Sequence, residues 1–523
     1  MKNTTGKKRL PIIVYELTLY FLILLSFSMK WCTDHFGNIS MGEIIFTLNV
    51  PLKDAPDEYF LAYFVEAFLS SIAGYIAIRL LRIVLPKVIK KLPRFDIYLH
   101  FKLFKLRGRL HINNITHLFS KRRWILPTAW FVILIIITNI NYQLFDYIKS
   151  SIQTSDFIEN EFVDIEEIAV KFPEEKKNLI CIYIESAETT FQDKENGGIF
   201  EESIIPEMTE IAKENISFSQ SELLDGAAVA PGTGWTIAGL VAQTAGIPLK
   251  LYTKGDNRLG KFEFFLPGAV SIGEVLAEQG YHNFFMAGSK FTYGGRQEYF
   301  TQHGNYEIWD YLSAIEEGKI PEDYYVNWGF EDRKLYEYAK EKLLVLAKEE
   351  QPFNFSMLTV DTHANSGGNA ICELCPDKFE NLYAKAWSCA SAQLADFIDW
   401  LQQQDFYDDT VIYISGDHSS MQGGFIEEYV YDKHNGSTER NVYNVFINSV
   451  VEPVETKNRK FTTLDFCPSI LAALGVEIEG ERIGLGTNLF SEEPTLPEKY
   501  GYEEMFEEMN KKSIFYNREI LYP

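Results

Sequence analysis

The chain has 523 residues, of which 46% are hydrophobic and 15% aromatic, a composition that excludes a largely disordered protein and fits two or three folding units. Residues 1–150 carry 20 Lys and Arg against 9 Asp and Glu, whereas residues 151–523 carry 29 against 64. The two parts therefore serve different environments. The acidic second part excludes nucleic acid as a partner, because phosphate backbones require a basic surface.

Three apolar runs, at about 10–29, 59–85 and 124–142, are each long enough to cross a bilayer, which takes roughly 20 apolar residues. The first run lacks the small-residue cleavage site of a signal peptide. Basic residues precede the first run and fill the loop between the second and third, so both places belong in the cytoplasm. The pattern predicts a multi-pass cell-membrane protein, with three transmembrane helices in domain 1–145 and an extracytoplasmic remainder.

A linker is predicted at 146–177, a globular domain at 178–490 and an acidic, aromatic tail at 491–523. Within the domain, helical patterns such as 269–279 and 383–404 separate short runs rich in Ile, Val, Phe and Tyr. These strand candidates are 178–186, 281–288, 353–362, 410–418 and 444–449. Such alternation predicts an α/β fold with a mostly parallel central sheet flanked by helices, in which ligands gather at the carboxyl ends of the strands.

Polar residues end several of these strand candidates: Glu185, His363, and the adjacent pair Asp417 and His418. A carboxylate beside an imidazole at a strand end is a ready pair of metal ligands. By itself such a pair is more typical of hydrogen bonding at a loop entry, and Glu185 alone is more typical of a solvated glutamate. The three positions together favour a metal site.

The segment Gly232-Thr233-Gly234 forms a predicted turn directly before a helical pattern that starts near Trp235. Free N–H groups and the helix dipole at such a position favour a phosphate and stabilise an alkoxide. Thr233 is therefore a candidate nucleophile. The alternative is that Thr233 is a simple helix N-cap, for which threonine is a common choice.

Cys372 and Cys375 form a C-x-x-C pair, and Cys389 follows soon after. A zinc knuckle would need a second pair of soft ligands nearby, which the sequence lacks. If this domain lies outside the cell, a disulfide between Cys389 and one member of the pair is expected. The alternative is three reduced thiols.

Seven segments together resemble the alkaline phosphatase superfamily and, within it, the membrane phosphoglycerol transferases and lipoteichoic acid synthases. The fit is closer to the glucan-modifying phosphoglycerol transferases, notably at the threonine turn and around Arg296. The segments are FTLNVPLK (46–53), IYIESAETTF (182–191), PGTGWTIAGLVAQTAGIPL (231–249), MAGSKFTYGGRQEYFTQHG (286–304), TVDTHANSGG (359–368), YISGDHSSM (413–421) and FTTLDFCPSILAALGVEI (461–478).

The resemblance implies that Thr233 is the nucleophile and that Glu185, Asp417 and His418, with the Thr233 oxygen, hold a divalent metal. Carboxylate, imidazole and alkoxide ligands suit Mn²⁺ best, with Zn²⁺ and Mg²⁺ as alternatives.

The resemblance further implies that Arg296 contacts the phosphate and that His363 lies beside the scissile group, with Trp235 and His303 lining the pocket. The chain departs from the lipoteichoic acid synthases where these carry further glycerol-contacting residues, at Ala287, Ser289 and Gly294.

The function that follows is transfer of glycerol phosphate from phosphatidylglycerol, a membrane lipid, to an extracytoplasmic glycan or glycolipid through a covalent threonine intermediate. The alternatives are a phosphoethanolamine transferase and a phosphodiesterase or hydrolase of the same superfamily. A sulfatase activity is not expected, because such enzymes need a modified cysteine or serine in a C-x-P-x-R type motif, and neither Cys375 nor Cys467 lies in one.

Overall fold

The computed structural model describes residues 5–37, 39–49, 57–89, 98–103, 106–111, 124–250, 264–326, 328–364, 372, 375, 378–431 and 440–523. The chain forms two compact units. One unit comprises residues 1–38 and 56–144, and the other comprises residues 39–55 and 145–523. Most of the basic loop between the second and third apolar runs lies outside the described residues, as do parts of the segments 46–53 and 359–368.

The first unit is built from apolar helices. Two of them, Ile12–Phe36 and Tyr59–Val84, are long and apolar enough to cross a membrane. A third span is present if the bent pair Pro127–Tyr142 and Leu144–Ile152, which meet at 79°, is counted as one. Two to three spans are consistent with the predicted three. The elements of this unit are the helices Thr5–Phe36, Asp57–Ala62, Ser70–Ile89 and Ile125–Tyr142, the π-helix Tyr63–Leu69, and a hairpin of strands Tyr98–Leu103 and Leu106–His111.

Hydroxyl groups on these helices are satisfied within the unit. Thr18 donates to the carbonyl of Val14 at 2.9 Å, and Ser26 donates to the carbonyl of Leu22 at 2.8 Å. Tyr142 donates to the Met29 carbonyl at 2.7 Å and so joins the first helix to the last. Such bonds are what an apolar solvent requires of polar groups on a helix.

The second unit contains a six-stranded sheet in the order β3-β2-β4-β1-β5-β6. Strands β1 to β5 run parallel, and β6 is antiparallel to β5. All five predicted strands are confirmed. Strand β3 has only three residues and was not predicted. The strands are β1 Asn178–Ile184, β2 His282–Ala287, β3 Glu307–Trp309, β4 Phe353–Leu358, β5 Thr410–Gly416 and β6 Asn444–Ile447.

Strand β1 shows why this sheet is covered on both faces. Its side chains point alternately to opposite faces, so Leu179, Cys181 and Tyr183 enter one hydrophobic cluster, whereas Ile180 and Ile182 enter another. Both faces of a parallel strand are then apolar, which gives the continuous hydrophobic run seen in the sequence. The predicted α/β class with a mostly parallel sheet is confirmed.

Helices from different parts of the chain cover the two faces. The helices Thr236–Ala245, Ile272–Glu278 and Phe466–Ala473 contribute to the first cluster. The helices Pro206–Glu214, Asp332–Leu346 and Leu382–Leu401 contribute to the second. The patterns at 269–279 and 383–404 are thus confirmed as helices, with ends shifted by one to three residues.

Shorter elements complete this unit. Its other helices are Met41–Asn49, Phe157–Glu161, Arg296–Gln302, Tyr311–Glu316, Gly423–Phe425, Leu496–Tyr500 and Tyr502–Asn510, with π-helices Ile426–Tyr431 and Tyr516–Leu521. Its 3₁₀ turns are Ile165–Glu167, Thr189–Phe191, Lys194–Asn196, Tyr293–Gly295, Tyr407–Asp409, Thr463–Asp465 and Glu479–Glu481. Its two-residue strand pairs are Val170–Lys171 with Glu477–Ile478, and Arg482–Ile483 with Gly486–Thr487.

A disulfide joins Cys375 to Cys389, as predicted for Cys389 and one member of the C-x-x-C pair. Cys372 is not bonded, and its Sγ lies 3.7 Å from the Sγ of Cys389. The bridge attaches the segment that follows β4 to the buried side of the helix Leu382–Leu401.

Gly239 lets the helix Thr236–Ala245 pack directly against the loop that follows β5. A Cβ atom added at Gly239 would lie 1.9 Å from the carbonyl oxygen of Asp417. Backbone cannot yield at that distance as a flexible side chain would, so the position requires glycine.

We therefore expect Gly239→Ala to lower the apparent thermal midpoint of the full-length protein by about 1–4 °C, because the helix must move off the loop. The control is Gly424→Ala, where an added Cβ has no heavy atom within 4 Å. Thermal unfolding in detergent measures both variants. Equal midpoints for the two variants would contradict this packing.

Candidate metal centre

Three ionisable side chains meet where two neighbouring strands end. Glu185 directly follows β1, and Asp417 and His418 directly follow β5. Because β1 and β5 are adjacent and parallel, their carboxyl ends lie side by side. The Nε2 atom of His418 lies 3.5 Å from Oε1 of Glu185 and 3.4 Å from Oδ2 of Asp417. The three residues are 3%, 0% and 2% exposed, so none of them is a solvated surface group.

Two buried carboxylates share one imidazole in this cluster. Burial, together with the nearby charge of Glu185, raises the pKa of Asp417. Burial alone would lower the pKa of His418, but the charges of Asp417 and Glu185 raise it above its ordinary value. Oδ2 of Asp417 is buried without a hydrogen-bond partner, which costs free energy unless another group compensates.

The donor set fits a divalent metal. Glu185, Asp417 and His418 each offer one ligand atom, and these atoms all lie within 4.8 Å of one another. Two carboxylate oxygens and one imidazole nitrogen are ligands that Mn²⁺, Zn²⁺ and Mg²⁺ accept, with no thiolate to favour a softer ion. The unpartnered Oδ2 is an acceptor that such a cation would satisfy.

Hydrogen bonds around the cluster orient its ligand atoms. The Nδ1 atom of His418 lies 2.8 Å from the carbonyl of Ser419, so Nδ1 carries the proton and Nε2 is the atom left to bind a metal. Oδ1 of Asp417 accepts from the backbone N–H of Ser186 at 2.7 Å. The Ser186 hydroxyl donates to Oε1 of Glu185 at 2.6 Å. Ser186 has a φ of 62°, a left-handed conformation that is uncommon outside glycine and typical of functional sites.

Thr233 lies in a tight turn beside this cluster. Gly232 has a φ of 83°, and the fully buried Thr233 hydroxyl donates to the carbonyl of Ala230 at 2.9 Å. The helix begins at Thr236, whose hydroxyl lies 3.4 Å from Nε2 of His418. The predicted turn before a helix is confirmed. The N-cap alternative does not hold, because Thr233 precedes the helix by three residues and bonds elsewhere.

Arg296 is the first residue of the helix Arg296–Gln302, and backbone carbonyls hold its guanidinium in place. Nε donates to Tyr293 at 3.2 Å and Nη2 donates to Lys290 at 2.8 Å. Burial lowers the pKa of Arg296, and the negative charges of Glu185 and Asp417 oppose this shift.

His363 follows β4, the strand beside β1 in the sheet. Burial, together with the nearby positive charge of His418, lowers the pKa of His363 to about 4. The ring is therefore neutral at pH 7 and is available as a proton acceptor. The hydroxyl of Thr362, the residue before His363, donates to the carbonyl of Glu185 at 2.6 Å, so the chain after β4 passes beside the residue that follows β1.

The other two predicted pocket residues, Trp235 and His303, have different surroundings. Trp235 adjoins the Thr233 turn and packs against the hydrophobic cluster beneath it. His303 is not brought to the acidic cluster by its contacts: Nδ1 lies 3.1 Å from Glu274, and Nε2 lies 2.6 Å from the carbonyl of Phe265. Both ring nitrogens are within hydrogen-bond distance of neighbouring protein groups, which fits a structural role of His303 better than contact with a substrate.

A buried ion pair that the sequence did not reveal supports the loop after β5. Glu188 is completely buried and accepts from Nε of Arg440 at 3.1 Å and from the backbone N–H of Ser420 at 2.9 Å. Because Ser420 is two residues beyond His418, this pair fixes the segment that carries the metal ligands. The partners are 252 residues apart, so no local pattern connects them.

Glu43 was also missed, although a local signal for its position exists. Ser40 and Glu43 form a reciprocal capping pair at the start of the helix Met41–Asn49, the S-x-x-E pattern of a helix start. Burial raises the pKa of Glu43, and His418 is among its charged neighbours. Oε1 of Glu43 lies 3.8 Å from the place where Gly234 would carry a Cβ atom. A carboxylate from residues 39–55 therefore adjoins the threonine turn.

The chain is similar to several known proteins. Residues 177–476 match the sulfatase family. Phosphoglycerol transferase I of Escherichia coli is 30% identical over 358 residues, which are 67% of this chain and 43% of that protein, so the chain spans less than half the length of this relative. Among solved structures, the lipoteichoic acid synthase LtaP of Listeria monocytogenes is 18% identical over 64% of this chain and 81% of that chain, with a TM-score of 0.46. Lipooligosaccharide phosphoethanolamine transferase A of Neisseria meningitidis is 13% identical over 88% and 84%, with a TM-score of 0.48.

We expect Asp417→Asn to weaken Mn²⁺ binding by more than about 100-fold, because groups that merely orient a ligand already contribute about 10–100-fold. Since the pKa of Asp417 is raised, a proton competes with the metal, and the affinity of the unaltered protein should increase from pH 6 to pH 8. Equilibrium dialysis with Mn²⁺ measures both effects.

The control is Asp408→Asn, which changes an exposed carboxylate outside the cluster and should leave Mn²⁺ affinity unchanged. Equal affinities of Asp417→Asn and the unaltered protein would rule out this metal centre.

Proposed function

The chain belongs to the sulfatase family, and from that premise we propose that it is a membrane-bound phosphoglycerol transferase. It moves glycerol phosphate from phosphatidylglycerol to an extracytoplasmic glycan or glycolipid. The observation that carries this proposal is a buried threonine hydroxyl in a turn beside a cluster of two carboxylates and one imidazole. The relationship to phosphoglycerol transferase I supports the choice of transferred group.

Thr233 is the proposed nucleophile. Its oxygen attacks the phosphorus of the lipid, the bond from phosphorus to the diacylglycerol oxygen breaks, and the proton lost by the hydroxyl ends on the released diacylglycerol. A glycerophosphate ester on Thr233 remains. Glu185, Asp417 and His418 would hold a divalent cation, preferably Mn²⁺. When bound, this cation would supply the Lewis acidity that makes a hydroxyl nucleophilic near neutral pH.

Arg296 is the proposed phosphate contact. Two of its nitrogens are fixed by the carbonyls of Tyr293 and Lys290, so the guanidinium does not have to be ordered when substrate binds. Its remaining N–H groups are donors for the nonbridging oxygens, where negative charge builds as the ester exchanges. Charge-assisted donors placed in advance stabilise the transition state more than the ground state.

His363 is the proposed proton carrier of the second step. Because its lowered pKa keeps the imidazole neutral at pH 7, it accepts the proton of an acceptor hydroxyl as that oxygen attacks the phosphothreonine. The bond between phosphorus and the Thr233 oxygen breaks, and the threonine oxygen takes up the proton that His363 accepted. The glycerol phosphate is then on the acceptor, and the enzyme is regenerated.

The place of the reaction follows from the apolar helices and the charge pattern. Positive residues before the first span and between the second and third predict that the catalytic unit is extracytoplasmic. There it meets both the phospholipid donor and envelope glycans. A sulfatase reaction is not proposed, because Thr233 stands at the nucleophile turn and the chain lacks the C-x-P-x-R type motif.

We expect the purified full-length protein, given phosphatidylglycerol and Mn²⁺ without acceptor, to gain the mass of one glycerophosphate on Thr233 and to release diacylglycerol. Thr233→Ala should show neither signal, and Thr233→Ser should retain part of both, because serine keeps the hydroxyl. Peptide mass spectrometry and lipid analysis make the measurement.

Thr244→Ser, which changes a buried threonine on the adjoining helix, is the control and should react like the unaltered protein. Diacylglycerol release by Thr233→Ala would exclude this nucleophile. An adduct from phosphatidylethanolamine alone would replace the proposal with phosphoethanolamine transfer.

A further inference from the structure

Three aromatic rings run in contact from the arginine to the histidine of the candidate site. The centroid of the Trp328 ring lies 4.8 Å from that of His363 and 5.3 Å from that of Tyr293. Tyr293 is also the residue whose carbonyl fixes Nε of Arg296. All three rings are partly exposed. The indole of Trp328 therefore stands between the proposed phosphate contact and the proposed proton carrier.

The backbone at Trp328 is strained. Its φ of 56° is a left-handed conformation that a bulky side chain rarely adopts. Such conformations are energetically costly and persist only where the surrounding structure imposes them. They cluster at ligand sites, so the strain favours a functional position over a neutral one.

Two glycines impose this conformation. A Cβ atom on Gly329 would lie 2.0 Å from the carbonyl oxygen of Gly288, and a Cβ on Gly288 would lie 2.5 Å from that of Phe330. The N–H of Phe330 donates to Gly288 at 3.0 Å, and the N–H of Val326 donates to Gly329 at 2.9 Å. The chain after Trp328 is thus held against the end of β2, which keeps the backbone at Trp328 in this conformation.

Trp328 is not explained by core packing. Among the described residues, neither Trp328 nor Tyr293 belongs to the two hydrophobic clusters of this unit or packs as a partly buried residue against them. A large ring held partly exposed by a strained backbone contributes less to stability than a buried one would. A ligand that covers the ring accounts for both observations.

We propose that Trp328, with Tyr293 at its edge, is the platform on which a hexopyranose ring of the acceptor stacks. The inference rests on the proposed function and names the part of the acceptor that the site recognises. The C–H groups on one face of a pyranose are weakly positive and apolar, and they complement the electron-rich face of an indole. A sugar lying there would place its hydroxyl groups beside His363.

The donor lipid is a poorer occupant of this platform. The glycerol headgroup has three carbons and no ring to cover an indole. Acyl chains need an extended apolar groove, whereas His363 and the arginine loop border this platform with polar groups. Small polar sites that stack one ring are typical of carbohydrate and nucleobase ligands, and the acidic charge of this unit excludes the latter.

The test uses the full-length protein with phosphatidylglycerol and Mn²⁺, and it compares two acceptors. A β-linked glucose oligosaccharide has pyranose rings, and glycerol has hydroxyl groups without a ring. For Trp328→Ala, we expect the KM for the oligosaccharide to rise roughly tenfold, which corresponds to about 1.4 kcal/mol. The KM for glycerol should rise much less than the KM for the oligosaccharide, because glycerol has no ring to stack on the indole. Trp328→Phe should show a smaller rise, because a ring remains.

Trp400→Phe is the control, since Trp400 is a partly buried tryptophan that stacks on Phe397 away from the strand ends. An unchanged KM for the oligosaccharide in Trp328→Ala would overturn the inference. Equal loss of diacylglycerol release and of transfer to both acceptors would also overturn it, because Trp328 would then only position His363.

Binding without turnover separates this inference from the proposed function. Calorimetric titration of the oligosaccharide into Thr233→Ala and into the double variant with Trp328→Ala should give affinities that differ roughly tenfold. This result does not depend on the donor lipid or on the nucleophile. Equal affinities, or no binding to either protein, would overturn the platform even if glycerophosphate transfer is found.

Discussion

Two carboxylates buried at neighbouring strand ends are the constraint on which the rest of this site depends. Glu185 and Asp417 are almost completely removed from water, and a single imidazole faces them. Such a group of charges is stable only when hydrogen bonds and a cation offset the cost of burial. The N–H of Ser186, the ion pair that holds the loop after β5 and the close approach at Gly239 all serve to keep this arrangement in place.

The same constraint gives the site its chemistry. Two carboxylates and an imidazole that would hold a cation lie beside a turn that carries a buried threonine hydroxyl, and backbone carbonyls hold the guanidinium of Arg296 in place. These are the parts that transfer of a phosphate ester needs: a nucleophile, a Lewis acid and donors for the nonbridging oxygens. The site thus fits a phosphotransferase of the sulfatase family, and the platform proposed at Trp328 would select the kind of acceptor.

The sequence predicted what local patterns encode. Buried parallel strands are continuous apolar runs, so the sequence predicted five of the six strands of the central sheet. The residues that follow these strands, Glu185, His363, Asp417 and His418, were predicted as site residues for the same reason. Strand β3 was missed because three residues show no period. The roles of Glu188 and Trp328 were missed because their partners are distant in sequence. His303 was predicted to line the pocket because it lies in the resembling segment, but its ring nitrogens bind Glu274 and Phe265.

The most direct test of the central claim is the anomalous diffraction of Mn²⁺ in crystals of the protein. We expect one strong peak for an ion bound by Glu185, Asp417 and Nε2 of His418, with the Thr233 oxygen as the fourth protein ligand. That result would show that the nucleophilic oxygen of Thr233 also binds the cation. A peak without Thr233, or a peak at other residues with this cluster empty, would contradict the account.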